Sequence, residues 1–118
     1  MRSGTGLPPD GSYPASAIAR DAELLRPMPM PELRDVVDWA DRLPAVGAAV
    51  TAPVRLTFAA HDKIWRSDDE AVAAVSRHFT AAPFTTALLA GVGHSIELHH
   101  LARAYVLSQL SFVEQALA

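Results

Sequence analysis

Two short segments constrain the fold of this chain more than any other feature. The first is VRLTFAAHD, Val54 to Asp62, in which apolar and polar residues alternate and an acid follows. The second is FTTALL, Phe84 to Leu89, which is followed by the glycine-framed histidine of GVGHS, Gly91 to Ser95. A helical pattern separates them, and strands joined by such a helix pair in parallel through a right-handed crossover. The sequence therefore predicts an α/β fold.

The helices of this unit have recognisable ends. Ser67 and Glu70 have the spacing of a capping box, which predicts that a helix begins at Ser67. A buried stripe follows at helical spacing: Val72, Val75 and Phe79. After the histidine turn, an apolar-rich segment from Ile96 to about Ala116 predicts one long helix. The order from Val54 onward is thus strand, helix, strand, helix.

The first 44 residues predict a separate helical segment. Ser16 to Arg26 reads as a helix, and the alternating prolines of Pro27 to Pro31 predict an extended connector, either a stiff linker or a recognition motif. A second helix is expected from Pro31 until Pro44 ends it, with a loop over Ala45 to Thr51. The chain is accordingly divided into a flexible N-terminus (1–15), a helical segment (16–44) and an α/β unit (45–118).

Composition excludes several classes of protein. A net charge of −3 argues against a nucleic-acid partner, and no apolar run reaches the ~20 residues that a membrane span needs. The N-terminus lacks the apolar stretch of a secretory signal. Without cysteine there is neither a disulfide nor a thiolate metal site, which fits the cytoplasm. We expect no cofactor and no metal. The preference for Arg over Lys fits a GC-rich bacterial gene.

Asp62 and His94 are the residues most suited to chemistry. Each follows a predicted parallel strand, and the carboxyl ends of such strands are where catalytic groups gather. Gly91 and Gly93 permit a tight turn that presents an imidazole, and a general base must be held with one ring nitrogen free. Taken singly, each has an ordinary alternative: an acid that caps a turn, and a histidine in a loop.

The two segments together resemble the last third of the α/β-hydrolase superfamily. In that family the acid follows one strand and the histidine the next, in the chain order Ser, Asp, His. The resemblance covers about Pro53 to Ala118, with residues 14–44 resembling the helical cap less specifically. It implies that Asp62 orients His94 and that His94 is the general base of acyl hydrolysis, with an ester or thioester as substrate. Ala59 departs from the glycine common in the family.

The remaining aromatic and histidine residues carry weaker signals. The resemblance places Trp65 at the border of a substrate pocket, and Trp39 lies off its helical stripe, so both are candidate substrate-binding residues; packing is the alternative for each. Ordinary surface positions are expected for His61 and His78. The adjacent His99 and His100 point about 100° apart on a helix and do not form a metal site.

The nucleophile of the family is absent from these 118 residues, because no G-x-S-x-G occurs. Our main hypothesis is a C-terminal fragment or subunit that supplies Asp62 and His94 to an N-terminal hydrolase half. A non-catalytic remnant that acts as a binding module, possibly dimeric, is the first alternative. The second is an enzyme in which His94 activates water directly. The expected partners are a small acyl substrate and either that missing half or a second copy, with no membrane.

Overall fold

The computed structural model describes residues 11–118. Of the N-terminus predicted to be flexible (1–15), residues 1–10 lie outside the described part, and Ala15 is already the first residue of a helix. The chain is a mixed α/β structure in which a helical N-terminal segment precedes a strand–helix–strand–helix unit. Its elements are α1 (Ala15–Leu24), α2 (Met30–Val37), α3 (Trp39–Ala49), β1 (Val54–Ala59), α4 (Asp69–Ser76), β2 (Phe84–Leu89), a 3₁₀ turn (Ile96–Leu98) and α5 (Ala102–Leu117).

The two strands form a parallel sheet, as the sequence predicts. Val54 pairs with Phe84 and Ala59 with Leu89, so the strands are in register over all six residues. Both strands lie within the two predicted segments, Val54 to Asp62 and Phe84 to Leu89, because β-branched and aromatic residues favour a pleated backbone. Within the described residues the sheet has these two strands and no more. One edge of β1 is therefore unpaired.

Pro44 does not end a helix, so that prediction is wrong. The helical backbone is interrupted earlier, at Asp38, and α3 restarts at Trp39 and continues through Pro44 to Ala49. The predicted loop over Ala45 to Thr51 is therefore helical for most of its length. A proline inside a helix costs about 3 kcal/mol. Leu43, which precedes the proline, and Gly47, three residues after it, are buried, and this packing offsets the cost.

Two predicted helix starts are also wrong. The N-cap of α4 is Asp68, whose carboxylate accepts a hydrogen bond from the Ala71 amide, and not Ser67. An aspartate caps as well as a serine does, so sequence alone could not rank the two. The last helix begins at Ala102 instead of Ile96, because His99 is extended and its Nδ1 accepts from the Leu101 amide.

The core of the described structure is small and lies at the carboxyl end of the sheet. Ala59, Val92 and Ile96 form one buried cluster, against which Leu89 and Tyr105 pack. A second contact layer is the stacked ring pair of Phe79 and Phe84, whose centroids are 4.6 Å apart. The core therefore supports the loops that follow β1 and β2 more than it supports the helices, since α1, α2, α4 and α5 contain no buried residue.

Candidate functional site

The loops that follow β1 and β2 are bound to each other beyond the end of the sheet. The Ala60 amide donates to the Leu89 carbonyl at 3.0 Å, and the His61 amide donates to the Val92 carbonyl at 2.9 Å. These bonds join the two loops beyond Ala59 and Leu89, the last pair of the sheet. They fix the separation of the two loops at the point where Asp62 and His94 emerge.

Asp62 and His94 are in direct contact. His94 Nδ1 lies 2.9 Å from Asp62 Oδ2, which is hydrogen-bonding distance. The other carboxylate oxygen, Oδ1, accepts from the amides of Ile64 at 2.7 Å and Trp65 at 3.0 Å. The Asp62 side chain is only 10% exposed, whereas that of His94 is 46% exposed. The acid is thus held from three directions, and the base stands at the surface of the site.

The surroundings of Asp62 favour its ionised form. Burial alone would raise its pKa, but the hydrogen bonds from the His94 ring and from the amides of Trp65 and Ile64 together outweigh burial. The pKa of Asp62 therefore lies below its ordinary value. An ionised carboxylate against Nδ1 holds the neutral imidazole in the tautomer with Nδ1 protonated, which leaves Nε2 as a proton acceptor.

The turn that presents His94 depends on one of its two glycines. Gly91 has a φ of +72°, a left-handed conformation that other residues adopt only at a cost, whereas Gly93 does not have a positive φ. Between them Val92 is fully buried. The expectation of unusual backbone angles at both glycines is therefore met only at Gly91. The turn at Gly91 buries the side chain of Val92, and His94, two residues further along, lies at the surface.

An apolar groove of about 780 Å³ opens beside the Asp62–His94 pair. Both candidate substrate-binding residues, Trp39 and Trp65, line it. Four consecutive residues of β1 also line it, and successive strand side chains point to opposite faces, so the groove runs along the unpaired edge of the strand. The strand residues are Leu56, Thr57, Phe58 and Ala59.

Sequence reasoning missed several residues of the groove. Ile64, Tyr105 and Glu97 line it, although none of them belongs to a recognisable motif. Ile64 follows Asp62 by two residues, and this closeness to the candidate acid was the one signal available in the sequence. Tyr105 comes from α5, a distant helix, and its hydroxyl accepts a hydrogen bond from Gln109 Nε2. Only the tertiary fold brings it to the site.

The other histidines and the serines lie outside the pair. His99 and His100 contact Tyr13 and Gly11 near the start of α5, and residues 11–118 contain no cluster of three metal-ligating side chains. The hydroxyls of Ser76 and Ser108 donate to carbonyls of their own helices. No described residue other than Asp62 has a side-chain hydrogen bond to the His94 ring. Within residues 11–118 the structure thus brings Asp62 and His94 together, and no serine hydroxyl is hydrogen-bonded to the His94 ring.

Comparisons with protein families, with characterised proteins and with solved structures found no match to this chain. Over the part of the chain that the structure describes, none of the helices has the length and apolar character needed to cross a membrane. The Asp62–His94 pair and the groove beside it are therefore the features of this chain that indicate a function.

Proposed function

We propose that this chain supplies the acid and the base of an α/β-hydrolase-type acyl hydrolase, as the C-terminal part of a larger catalytic unit. The observation that carries the proposal is the 2.9 Å contact between His94 Nδ1 and Asp62 Oδ2 at the carboxyl end of a parallel sheet. A serine and the oxyanion-binding amides would come from outside these 118 residues, because no G-x-S-x-G occurs in them.

The roles of the two residues follow from their surroundings. His94 Nε2 would take the proton of the serine hydroxyl as its oxygen attacks the acyl carbon, and would then return a proton to the leaving group. Asp62 stays ionised, holds Nδ1–H and stabilises the imidazolium that forms. Water repeats the sequence on the acyl-enzyme, with His94 again as the base. The products are a free acid and an alcohol or thiol.

The groove indicates the substrate class. Its wall beside the pair is built from the side chains of Trp39, Trp65 and Ile64, which offer apolar surface to an acyl or alkyl chain. Charged side chains are few there apart from the pair, and one of them, Arg66, is occupied by Asp68 and Glu70. We therefore propose an ester or thioester with an apolar acyl group.

For the test, a tagged copy of the chain is purified from its native cells together with the proteins bound to it. Hydrolysis of p-nitrophenyl hexanoate by this assembly is then measured. We expect the assembly to contain a polypeptide that a fluorophosphonate labels at serine. Hydrolysis should fall at least about 100-fold with His94→Ala, since general-base assistance contributes about 10²–10⁴-fold. The matched control is His78→Ala, a histidine that does not line the groove. Equal hydrolysis with His94→Ala, or no hydrolysis by any assembly, would contradict the proposal.

A second candidate is direct activation of water by His94. The exposure of its ring favours this route, because solvent reaches the base without a partner. The isolated chain would then hydrolyse the same ester slowly, and fluorophosphonate would not inhibit it. Loss of this activity in His94→Ala, together with its insensitivity to fluorophosphonate, would favour water as the nucleophile over serine.

A further inference from the structure

The start of α5 is fastened to the residues that lead into α1. The His100 amide donates to the Ser12 carbonyl at 3.3 Å, and His100 Nε2 lies 2.9 Å from the Gly11 carbonyl oxygen. The rings of Tyr13 and His99 meet edge to face, with their centroids 5.5 Å apart. These contacts join residues as far as 89 positions apart in the chain. We call residues 11–13 together with residues 99–101 the clasp.

His99 provides two hydrogen-bond acceptors at the beginning of α5. Its carbonyl oxygen accepts from the Ala102 amide at 2.9 Å, and its ring Nδ1 accepts from the Leu101 amide at 3.0 Å. The first amides of a helix have no partner within the helix, so such acceptors stabilise its start. A backbone amide can only donate, and Nδ1 accepts only when it carries no proton. The closed clasp therefore requires a neutral His99 ring with its proton on Nε2.

The neighbouring His100 has the opposite requirement. A carbonyl oxygen can only accept, so His100 Nε2 must carry a proton in its contact with Gly11. A second proton on Nδ1 of this ring leaves that hydrogen bond in place. Between the two adjacent histidines, protonation therefore disrupts the clasp at His99 and not at His100.

The surroundings of His99 do not stabilise a positive charge on its ring. The rings of Tyr13 and His100 face it; a tyrosine phenol stays neutral near neutral pH, and a protonated His100 would add a like charge. Amides at the start of a helix carry partial positive charge. Glu97 and Arg103 are the nearest charged residues along the chain. Within residues 11–118 neither ring of the histidine pair forms an ion pair with a carboxylate.

We propose that the clasp is a pH-sensitive device, which opens when His99 Nδ1 takes up a proton and the hydrogen bond from the Leu101 amide is lost. Imidazole changes its charge between about pH 5 and pH 8. A protonated Nδ1 would place two donors against each other. His100 lies between the two partners of the lost bond, so its contacts with residues 11–13 are released with it. Because the open clasp binds one more proton than the closed clasp, falling pH favours the open form.

The opening of the clasp reaches the groove through Tyr105. The Tyr105 amide donates to the Leu101 carbonyl at 2.9 Å, so this residue belongs to the first turn of α5. Its side chain packs against the buried cluster and lines the groove. The proposal therefore connects pH to one wall of the groove. It goes beyond the proposed hydrolytic role, because it concerns hydrogen bonds at the start of α5 and neither Asp62 nor His94.

Hydrogen exchange of the His100 and Leu101 amides tests the proposal. Exchange is measured by NMR on the full chain at about pH 8 and about pH 5, the two ends of the range in which histidine changes charge. Division by the exchange rate of an unstructured peptide at the same pH gives protection factors. We expect both factors to fall by about 30-fold at the lower pH, if the proton binds only the open form and a free histidine has a pKa of about 6.5. The Ala60 amide, which donates to the Leu89 carbonyl, should keep its protection.

The variant His99→Asn removes the titration and keeps the acceptor. An asparagine side-chain oxygen accepts from the backbone amide two residues further on, which is the spacing from His99 to Leu101. The His100 and Leu101 amides should then be equally protected at both pH values. The matched control is His78→Asn, which replaces a histidine that follows α4 and should behave as the wild type.

The position of the proton on the His99 ring is a second, independent measurement. In ¹⁵N NMR spectra at the higher pH, we expect a hydrogen on Nε2 and none on Nδ1. The proposal would be overturned by a hydrogen on Nδ1, by unprotected amides at the higher pH, by protection in the wild type that does not depend on pH, or by the same loss in His99→Asn. An equal loss at Ala60 would overturn it too, since the whole chain would then be opening. None of these outcomes depends on ester hydrolysis, so they are distinct from failure of the hydrolase proposal.

Discussion

Asp62 is the residue at which burial and hydrogen bonding oppose each other most directly. Its carboxylate is nearly covered, yet it accepts from the His94 ring and from two backbone amides, and the balance lowers its pKa. A residue that only capped a turn would need the two amides and not the imidazole. The third contact is what makes this acid a positioning residue for His94 in the proposed reaction.

The lowered pKa of Asp62 gives a pH-dependent contribution to stability. Because its folded-state pKa lies below its unfolded value, the unfolded state binds more protons as pH falls. We expect the stabilisation to be complete above the reference pKa of 3.8 and to disappear as pH falls through the lower folded-state value. The free energy of unfolding in urea is measured for the wild type and for Asp62→Asn between pH 2 and pH 6, a range of about two pH units on either side of the reference pKa. If the difference in unfolding free energy between the two proteins did not shrink at low pH, the expected contribution of Asp62 would be contradicted.

At the scale of single elements, α3 shows how packing decides where a helix continues. Its second half passes close to the end of α4. A Cβ atom at Gly47 would lie 2.8 Å from the His78 carbonyl oxygen and 3.0 Å from the carbonyl carbon. Both are backbone atoms and cannot rotate away. The absence of a side chain at Gly47 is therefore what lets α3 lie against this turn.

Gly47→Ala should destabilise the protein, although alanine is the better helix former. The clash is expected to cost about 1–3 kcal/mol, against a gain of about 1 kcal/mol in helix propensity. Ala48→Gly at the exposed neighbouring position is the control and should lose about 1 kcal/mol from propensity alone. Both changes are measured by denaturant unfolding. If Gly47→Ala stabilised the protein by about the propensity difference, α3 would not pack as closely against the His78 backbone as described.

At the scale of the whole molecule, the described chain has little buried apolar surface for its length. Its buried hydrophobic residues are Leu43, Ala59, Val92 and Ile96, and within residues 11–118 one edge of β1 is unpaired and neither α1 nor α2 contains a buried residue. Hydrophobic burial is the main favourable contribution to folding. A single copy is therefore expected to be only weakly stable, with further stability gained through association.

Association predicts a melting temperature that depends on concentration. A partner that binds the folded chain and not the unfolded chain stabilises the folded state more as protein concentration rises. We expect the midpoint of thermal unfolding of the wild type to rise over a 100-fold increase in concentration. A midpoint independent of concentration in the wild type would mean that one copy carries its own stability.

The α/β hydrolase relationship stays a proposal, but several of its structural expectations can be compared with the fold. The two strands, their parallel pairing and the meeting of Asp62 with His94 are all present. These features follow from local patterns, because alternation defines a strand and a single helix between two strands fixes their direction. The division of the chain into residues 16–44 and 45–118 stays a prediction.

The sequence by itself determined the two strands, their direction and the acid and base that follow them, because each depends on nearby residues. Only the tertiary structure decided that α3 passes through Pro44 and that Tyr105 reaches the groove. Those outcomes depend on contacts between distant segments, such as Gly47 against His78. A local pattern carries no record of such contacts, since packing energies arise only when the segments meet.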